Sequence, residues 1–134
     1  MNNKIITAVN VIIINKDKKV LIAKRKPDQP MPDKWEFPGG KLEEGETLDE
    51  CAYREIQEEL AIDIELDKYL GFEDVDYKGQ IFSMHLYTAF KSDEEQVIIL
   101  HEHVEAKWVN TNELSSYDMP ATTLSLLQKQ NFNF

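Results

Sequence analysis

The chain has 134 residues, 42% of them hydrophobic, and this size predicts one domain over residues 1–134 with a substantial core. Its formal net charge of −10 excludes the basic patch that a nucleic-acid polymer requires, whereas a free nucleotide bound through a divalent ion is compatible with it. Cys51 is the one cysteine, so no internal disulfide is possible, and we expect a buried thiol in a reducing compartment rather than a nucleophile.

The first predicted elements are strands. The segment Ile5–Ile14 is rich in Ile and Val, which is typical of a strand covered on both faces. It is too short to cross a bilayer, and we expect a cytoplasmic protein with no membrane partner. Val20–Lys24 predicts a second strand in a hairpin with the first, and three prolines predict a loop over Arg25–Pro32. Most arginines placed like Arg25 are solvated surface charges; a phosphate contact is the alternative.

A strand, two turns and a helix are predicted next. Lys34–Phe37 reads as a short strand, and Gly39-Gly40 predicts a tight turn whose backbone is open to a ligand. An acidic turn over Glu43–Glu46 precedes Thr47, which has Glu50 three residues later. This spacing is a capping box, so the helix is expected to begin immediately after Thr47.

The acidic helix carries the strongest chemical signal. Each helical residue advances by roughly 100°, so Glu55 and Glu59 lie on one face with Glu58 about 60° to the side. Many glutamate-rich helices are simply solvated, but here the acidic cluster adjoins the apolar stripe of the helix. Carboxylate oxygens favour a hard divalent ion, with Mg²⁺ or Mn²⁺ the first choices. Arg54, beside this cluster, is expected to brace the carboxylates rather than contact substrate.

The remainder of the chain predicts extended segments and a closing amphipathic helix. The extended segments are Ile62–Leu66, Tyr69–Val75, Ile81–Phe90, Val97–Leu100 and Ala106–Val109. Asn110–Leu114 predicts a helical turn, and Thr122–Gln130 predicts the final helix. His85 is expected to be an ordinary sheet residue. The pair His101 and His103 is compatible with zinc, but no third strong ligand stands at a suitable spacing.

One segment resembles the signature of a known family. The matching positions are Gly40, Glu46, Arg54, Glu55, Ile56, Glu58, Glu59 and Ile62. Their spacing is similar to the Nudix box, and the preceding Trp35-Glu36-Phe37-Pro38-Gly39-Gly40-Lys41 looks like the approach to it in the MutT branch of the Nudix hydrolases. Ala61 stands where the family has a glycine that serves the turn after the helix.

The resemblance implies an α/β fold, the Nudix α/β/α sandwich with a mixed β-sheet between helices. It implies Mg²⁺, or Mn²⁺, held by the Gly39 carbonyl, Glu55, Glu58, Glu59 and Glu102, with Glu105 as the alternative to Glu102. The implied catalytic residues are Glu55, Glu58, Glu59, Arg54 and Glu102, with Glu55 as general base. Arg25, Phe37 and Thr122 are implied substrate contacts, and core packing is the alternative for Phe37.

The implied reaction is hydrolysis of a nucleoside triphosphate to the monophosphate and pyrophosphate. Oxidised guanine and oxidised or modified pyrimidine triphosphates are the expected substrates, because Thr122 replaces a guanine-reading asparagine and the His101-Glu102-His103 segment resembles the CTP-type members. The alternatives are an ADP-ribose or other nucleoside diphosphate pyrophosphatase, and a non-catalytic nucleotide sensor. We expect a monomer or a homodimer.

Overall fold

The computed structural model describes residues 4–129, without the side chains of Ala121, Thr122 and Lys129. Seven strands, two α-helices and a 3-10 helix make up this part of the chain. The elements are β1 (Ile6–Ile14), β2 (Val20–Arg25), β3 (Trp35–Glu36), β4 (Gly39–Lys41), α1 (Leu48–Leu60), β5 (Ile64–Tyr77), β6 (Gln80–Lys91), β7 (His103–Val109), the 3-10 helix (Thr111–Ser116) and α2 (Ala121–Lys129). No helix in residues 4–129 is long and apolar enough to span a bilayer.

The strands form one mixed sheet. Its order is β3-β2-β1-β6-β5, with β4 paired to β1 and β7 paired to β2. β1 and β6 run parallel from Ile6 opposite Phe82 to Ile14 opposite Phe90, and the other pairs are antiparallel. The predicted mixed sheet of an α/β fold is therefore confirmed.

Both faces of β1 are buried, as its continuous apolar sequence predicted. Val9, Val11 and Ile13 pack in the same cluster as the apolar stripe of α1. Their neighbours Ile12 and Ile14 point the other way, into the cluster that contains the apolar residues of α2. The alternation follows from the period of two in a strand, and it places one helix against each face of the sheet.

Helix α1 begins where the sequence predicted. The Thr47 hydroxyl accepts a hydrogen bond from Glu50 N, and the Glu50 carboxylate accepts one from Thr47 N, so the predicted capping box is present. The helix ends at Leu60, and its C-cap residue Ala61 adopts the left-handed conformation with φ 58° and ψ 34°. This is the conformation that glycine adopts most easily at a helix C-terminus, and Ala61 adopts it in spite of its Cβ.

Two local predictions differ from the structure, and one that left two alternatives open is decided. Ile62–Leu66 and Tyr69–Val75 belong to one long strand, β5, with irregular pairing near residues 66–68 and 69–71. Val97–Leu100, for which a strand or an extended loop was predicted, forms no strand, and its Ile99 N donates to the Leu60 carbonyl of α1. Gly39-Gly40 is a strand, not a tight turn: Gly39 pairs with Asn10 and Gly40 with Val9. Tertiary pairing with β1 determines this conformation, and a local pattern does not report such pairing.

Candidate active site

Arg54 forms hydrogen bonds with three glutamates of the Nudix-like segment. Its Nε and Nη2 donate to the two carboxylate oxygens of Glu46 at 2.6 and 2.9 Å, and its Nη1 donates to Glu55 at 2.8 Å and to Glu58 at 3.1 Å. Hydrogen bonding to Arg54 lowers the pKa of Glu46 to about 2. The guanidinium therefore ties the 43–46 turn to α1 and offsets part of the local negative charge.

Glu59 is a buried carboxylate in an acidic environment. The residue is 3% exposed, and its Oε2 accepts a hydrogen bond from Gly39 N at 2.9 Å. Burial, together with the charges of Glu36, Glu102 and Glu55, raises the pKa of Glu59 to about 9. Several carboxylates thus lie close enough together for a cation among them to relieve their repulsion.

The two glycines of β4 bring this strand close to its neighbours. A Cβ on Gly40 would overlap the carboxylate of Glu55, and a Cβ on Gly39 would overlap the backbone of Val9 on β1. Neither glycine has a positive φ, so what matters is the missing side chain, not unusual dihedral angles. The pair lets α1 approach the sheet with its glutamates directed at the β4 backbone.

The segment before β7 forms hydrogen bonds with the C-terminal turn of α1. Ile99 N and His101 N donate to the carbonyls of Leu60 and Glu59 at 2.9 and 3.0 Å, and His101 Nδ1 bonds the Glu58 carbonyl at 2.9 Å. These contacts satisfy carbonyls of the last turn that have no partner within the helix. They also place residue 102 next to the acidic end of α1.

Of the two predicted alternatives, Glu102 lies at the cluster. Its charge raises the pKa of both Glu55 and Glu59, whereas Glu105 has Lys107 as its neighbour, 3.7 Å away. The structure therefore brings Glu55, Glu58, Glu59, Glu102, Arg54 and Gly39 together, and leaves Glu105 on the strand beyond.

Two residues that sequence reasoning passed over stand beside this cluster. Glu36 on β3 accepts from Arg25 Nη1 at 3.0 Å and from His103 Nε2 at 2.8 Å. Arg25 Nε also donates to the Pro30 carbonyl at 2.7 Å, which fixes the loop. In the sequence, Glu36 is only one residue of the MutT-like segment, and His103 is only half of a possible zinc pair. Their contact spans 67 positions and has no local signal.

The remaining predicted substrate contacts are less accessible. Phe37 is 1% exposed in the core on the α2 side, so its position supports core packing and does not support a role in base binding. The side chain of Thr122 lies outside the described residues. Its neighbour Thr123 lines a cavity of about 20 Å³, with Asn10, Glu73, Met84, His85, Leu86 and Leu126. This cavity has room for about one water molecule, so a base would enter only after side chains move.

The donor set fits a hard divalent ion, although its side chains are turned towards protein partners. Within residues 4–129, no three His, Cys, Asp or Glu side chains are arranged to hold one ion together. Glu55 and Glu58 point to Arg54, and His101 and His103 have separate partners, so these histidines form no zinc pair. The carboxylates are oxygen donors that raise one another's pKa, which is the environment that Mg²⁺-type ions stabilise.

Comparison with known proteins shows the family. The family model described as NUDIX domain matches residues 4–130, and the chain belongs to this family. It is an enzyme of the MutT-like branch of the Nudix hydrolases, which generally use divalent metal ions.

Two relatives and one solved structure support this assignment. The CTP pyrophosphohydrolase of Escherichia coli K12 is 30% identical over 116 residues, which cover 87% of this chain and 84% of that protein. The 8-oxo-dGTP diphosphatase of Haemophilus influenzae is 30% identical over 132 residues, covering 96% and 93%. The crystal structure of a MutT protein from Methanosarcina mazei Go1 has a TM-score of 0.87 at 22% identity, over 98% of this chain and 96% of that one, which shows the fold.

Proposed function

We propose that this enzyme is a Mg²⁺-dependent pyrophosphohydrolase, with Mn²⁺ as an alternative ion, that converts a nucleoside triphosphate into the monophosphate and pyrophosphate. The observation that carries the proposal is the buried Glu59 carboxylate, surrounded by the charges of Glu36, Glu55 and Glu102. Such a cluster costs stability unless a cation joins it, and a polyphosphate is the substrate that brings or shares that cation.

Glu55, Glu58, Glu59, Glu102 and the carbonyl of Gly39 would hold the ion. When bound, a divalent ion supplies neutralisation of phosphate charge and a lowered pKa of bound water. The protein's own contribution is placement: the Gly39 amide orients Glu59, and Arg54 keeps Glu55 and Glu58 on the β4 side of the helix. Glu55 is the general base of the proposal, and Arg25 contacts the phosphates.

The names of the relatives favour nucleoside triphosphates as the substrate class. One relative is a CTP pyrophosphohydrolase and the other an 8-oxo-dGTP diphosphatase, and both are 30% identical to this chain, so identity does not choose between a pyrimidine and an oxidised guanine. Oxidised guanine and oxidised or modified pyrimidine triphosphates are the proposed substrates, in a cytoplasmic role of clearing damaged nucleotides. No nucleic-acid polymer is expected as a partner, and the protein acts as a monomer or homodimer.

A substrate panel tests the proposal. The purified chain is incubated with Mg²⁺ and CTP, dCTP, 5-hydroxy-dCTP, dGTP, 8-oxo-dGTP or ADP-ribose, and pyrophosphate and monophosphate products are separated. Pyrophosphate released from a triphosphate is the expected result. ADP-ribose cleavage alone would replace the triphosphate assignment, and nucleotide binding without any product would indicate a sensor.

Two pairs of variants connect the activity to the site. Glu58→Gln is expected to lower turnover about 100-fold, while Glu44→Gln on the neighbouring exposed turn leaves it unchanged. Glu102→Gln is expected to lower turnover and Glu105→Gln to have no effect. Equal turnover for Glu58→Gln and the wild type would remove the acidic cluster from the mechanism.

A further inference from the structure

His103 is an almost fully buried histidine, and only one of its two ring nitrogens has a hydrogen-bond partner among the described residues. Its side chain is 2% exposed at the start of β7, and its Nε2 bonds Glu36 at 2.8 Å. Within the described residues, its other ring nitrogen, Nδ1, is buried and has no hydrogen-bond partner. A buried polar atom without a partner is unfavourable, and an aliphatic side chain of similar size would avoid it. Packing alone therefore does not account for a histidine at this position.

The Nε2 contact gives the histidine another role. A carboxylate can only accept hydrogen bonds, so His103 Nε2 carries the hydrogen and donates to Glu36 Oε2. The other oxygen of Glu36 accepts from Arg25 Nη1 at 3.0 Å. Held by a donor at each oxygen, the Glu36 carboxylate has one orientation, and this orientation in turn places the Arg25 guanidinium.

The sheet explains why these three residues meet. Arg25 ends β2, which pairs with β3 and with β7, and Arg25 is opposite His103 where the register shifts. The side chains thus come from three adjacent strands. Arg25 also donates from Nε to the Pro30 carbonyl, so Nη1 is the end of its guanidinium that Glu36 positions.

We propose that His103 is a positioning residue, which through Glu36 holds the Arg25 guanidinium in place for the polyphosphate chain of the substrate. The proposal rests on the proposed function, in which Arg25 contacts phosphate. Removing the imidazole relieves an unfavourable buried nitrogen and also removes a donor from the carboxylate that orients Arg25. The two effects on stability oppose each other, whereas affinity for the polyphosphate is expected to fall.

Two substitutions at this position separate the hydrogen bond from the packing. His103→Leu fills the space without a donor, and His103→Gln keeps an N–H donor. For His103→Leu we expect KM for the best panel substrate raised about tenfold and kcat within about threefold, in a protein that still unfolds in one cooperative transition. His103→Gln is expected to restore KM to within about twofold of the wild type.

Two further variants complete the kinetic test. Val109→Ala, at the other end of β7 in the core, is the control: it should lower the unfolding midpoint and leave KM unchanged. In an Arg25→Ala background, His103→Leu should add no further increase in KM, because His103 acts on the substrate only through the Arg25 guanidinium, which is then absent. An unchanged KM for His103→Leu, an equal defect in His103→Gln, or additive effects in the double variant would overturn the proposal.

A binding measurement keeps this proposal separate from the proposed function. Inorganic tripolyphosphate with Mg²⁺ is titrated into the wild type and into His103→Leu, and about tenfold weaker binding is expected for the variant. If the wild type releases no pyrophosphate from any triphosphate yet shows this difference, the proposed function fails and the role of His103 stands. Equal binding by both proteins, or none by the wild type, overturns the role of His103.

Discussion

Arg54 and Glu46 form a bidentate ion pair, with Nε and Nη2 at 2.6 and 2.9 Å from the two carboxylate oxygens. This pair joins the turn before α1 to the middle of the helix. Since Arg54 lowers the pKa of Glu46 from 4.5 to about 2, the pair contributes stability above pH 4.5 and loses it as the pH falls towards 2. We therefore predict that Glu46→Gln destabilises the protein at pH 7 and that its difference from the wild type shrinks below pH 4.5.

Urea unfolding at pH 7, 5, 4 and 3 measures this difference. Glu44→Gln, on the same turn, serves as the control and should differ little from the wild type at any pH. A stability gap between Glu46→Gln and the wild type that stays constant from pH 7 to pH 3 would mean that the Glu46 charge is not what stabilises the turn.

The two glycines of β4 predict different consequences for the same substitution. A methyl group on Gly39 meets the backbone of β1, which cannot move aside, so Gly39→Ala should destabilise the protein by about 1–3 kcal/mol or more. A methyl group on Gly40 meets the end of the Glu55 side chain, which can rotate. Gly40→Ala should therefore fold nearly as well as the wild type but lose turnover about tenfold or more.

Thermal unfolding and turnover of the two variants, measured side by side, check this prediction. The expected pattern is a large loss of stability for Gly39→Ala and a loss of activity with retained stability for Gly40→Ala. If Gly40→Ala keeps full turnover, the position of the Glu55 carboxylate does not matter for the reaction.

The same glycines show where sequence reasoning stops. Local patterns located the start of α1, because a capping box is a relation between residues three apart, and they located β1, because burial on both faces leaves a continuous apolar run. They predicted a turn at Gly39-Gly40, because the pairing with β1 spans about thirty positions and leaves no local trace.

In the candidate site, too, contacts between residues close in sequence could be predicted, and contacts between distant strands could not. Glu55, Glu58, Glu59 and Arg54 lie within one helical turn and a half, so their proximity follows from helical geometry. Glu36 and His103 meet only because β2 pairs with both β3 and β7. The burial of Phe37 likewise depends on α2 and the sheet closing over it, which its short strand alone does not predict.

We predict that replacing Ala61 by glycine stabilises the protein. It holds φ 58° after α1, a conformation that costs an L-residue with a Cβ roughly 1–2 kcal/mol, part of which the greater freedom of unfolded glycine cancels. Ala61→Gly should therefore raise the free energy of unfolding by about 1 kcal/mol, or about 3–4 °C in the unfolding midpoint.

The control for this substitution is Ala52→Gly, in the right-handed interior of α1. The same loss of a methyl group there should destabilise the helix by about 1 kcal/mol or more. If both variants are destabilised when followed by circular dichroism during heating, the left-handed geometry of residue 61 carries no cost.

We predict that Glu59 lowers the stability of the metal-free protein although turnover depends on it. Its pKa of about 9 means that at pH 7 folding without a metal ion requires the carboxyl to take up a proton, which costs stability. A glutamine needs no proton and can still accept the hydrogen bond from Gly39 N. Glu59→Gln should therefore raise the free energy of unfolding by about 1–2 kcal/mol in EDTA, while turnover with Mg²⁺ falls about 100-fold.

Adding Mg²⁺ extends this test. An ion that binds the folded state stabilises it, so Mg²⁺ should raise the unfolding midpoint of the wild type and have less effect on Glu59→Gln. Glu58→Gln is the matched control, because its side chain is 53% exposed and its removal should change stability in EDTA by no more than about 0.5 kcal/mol. If Glu59→Gln is less stable than the wild type in EDTA at pH 7, burial of the Glu59 carboxyl has no cost that a bound ion could relieve.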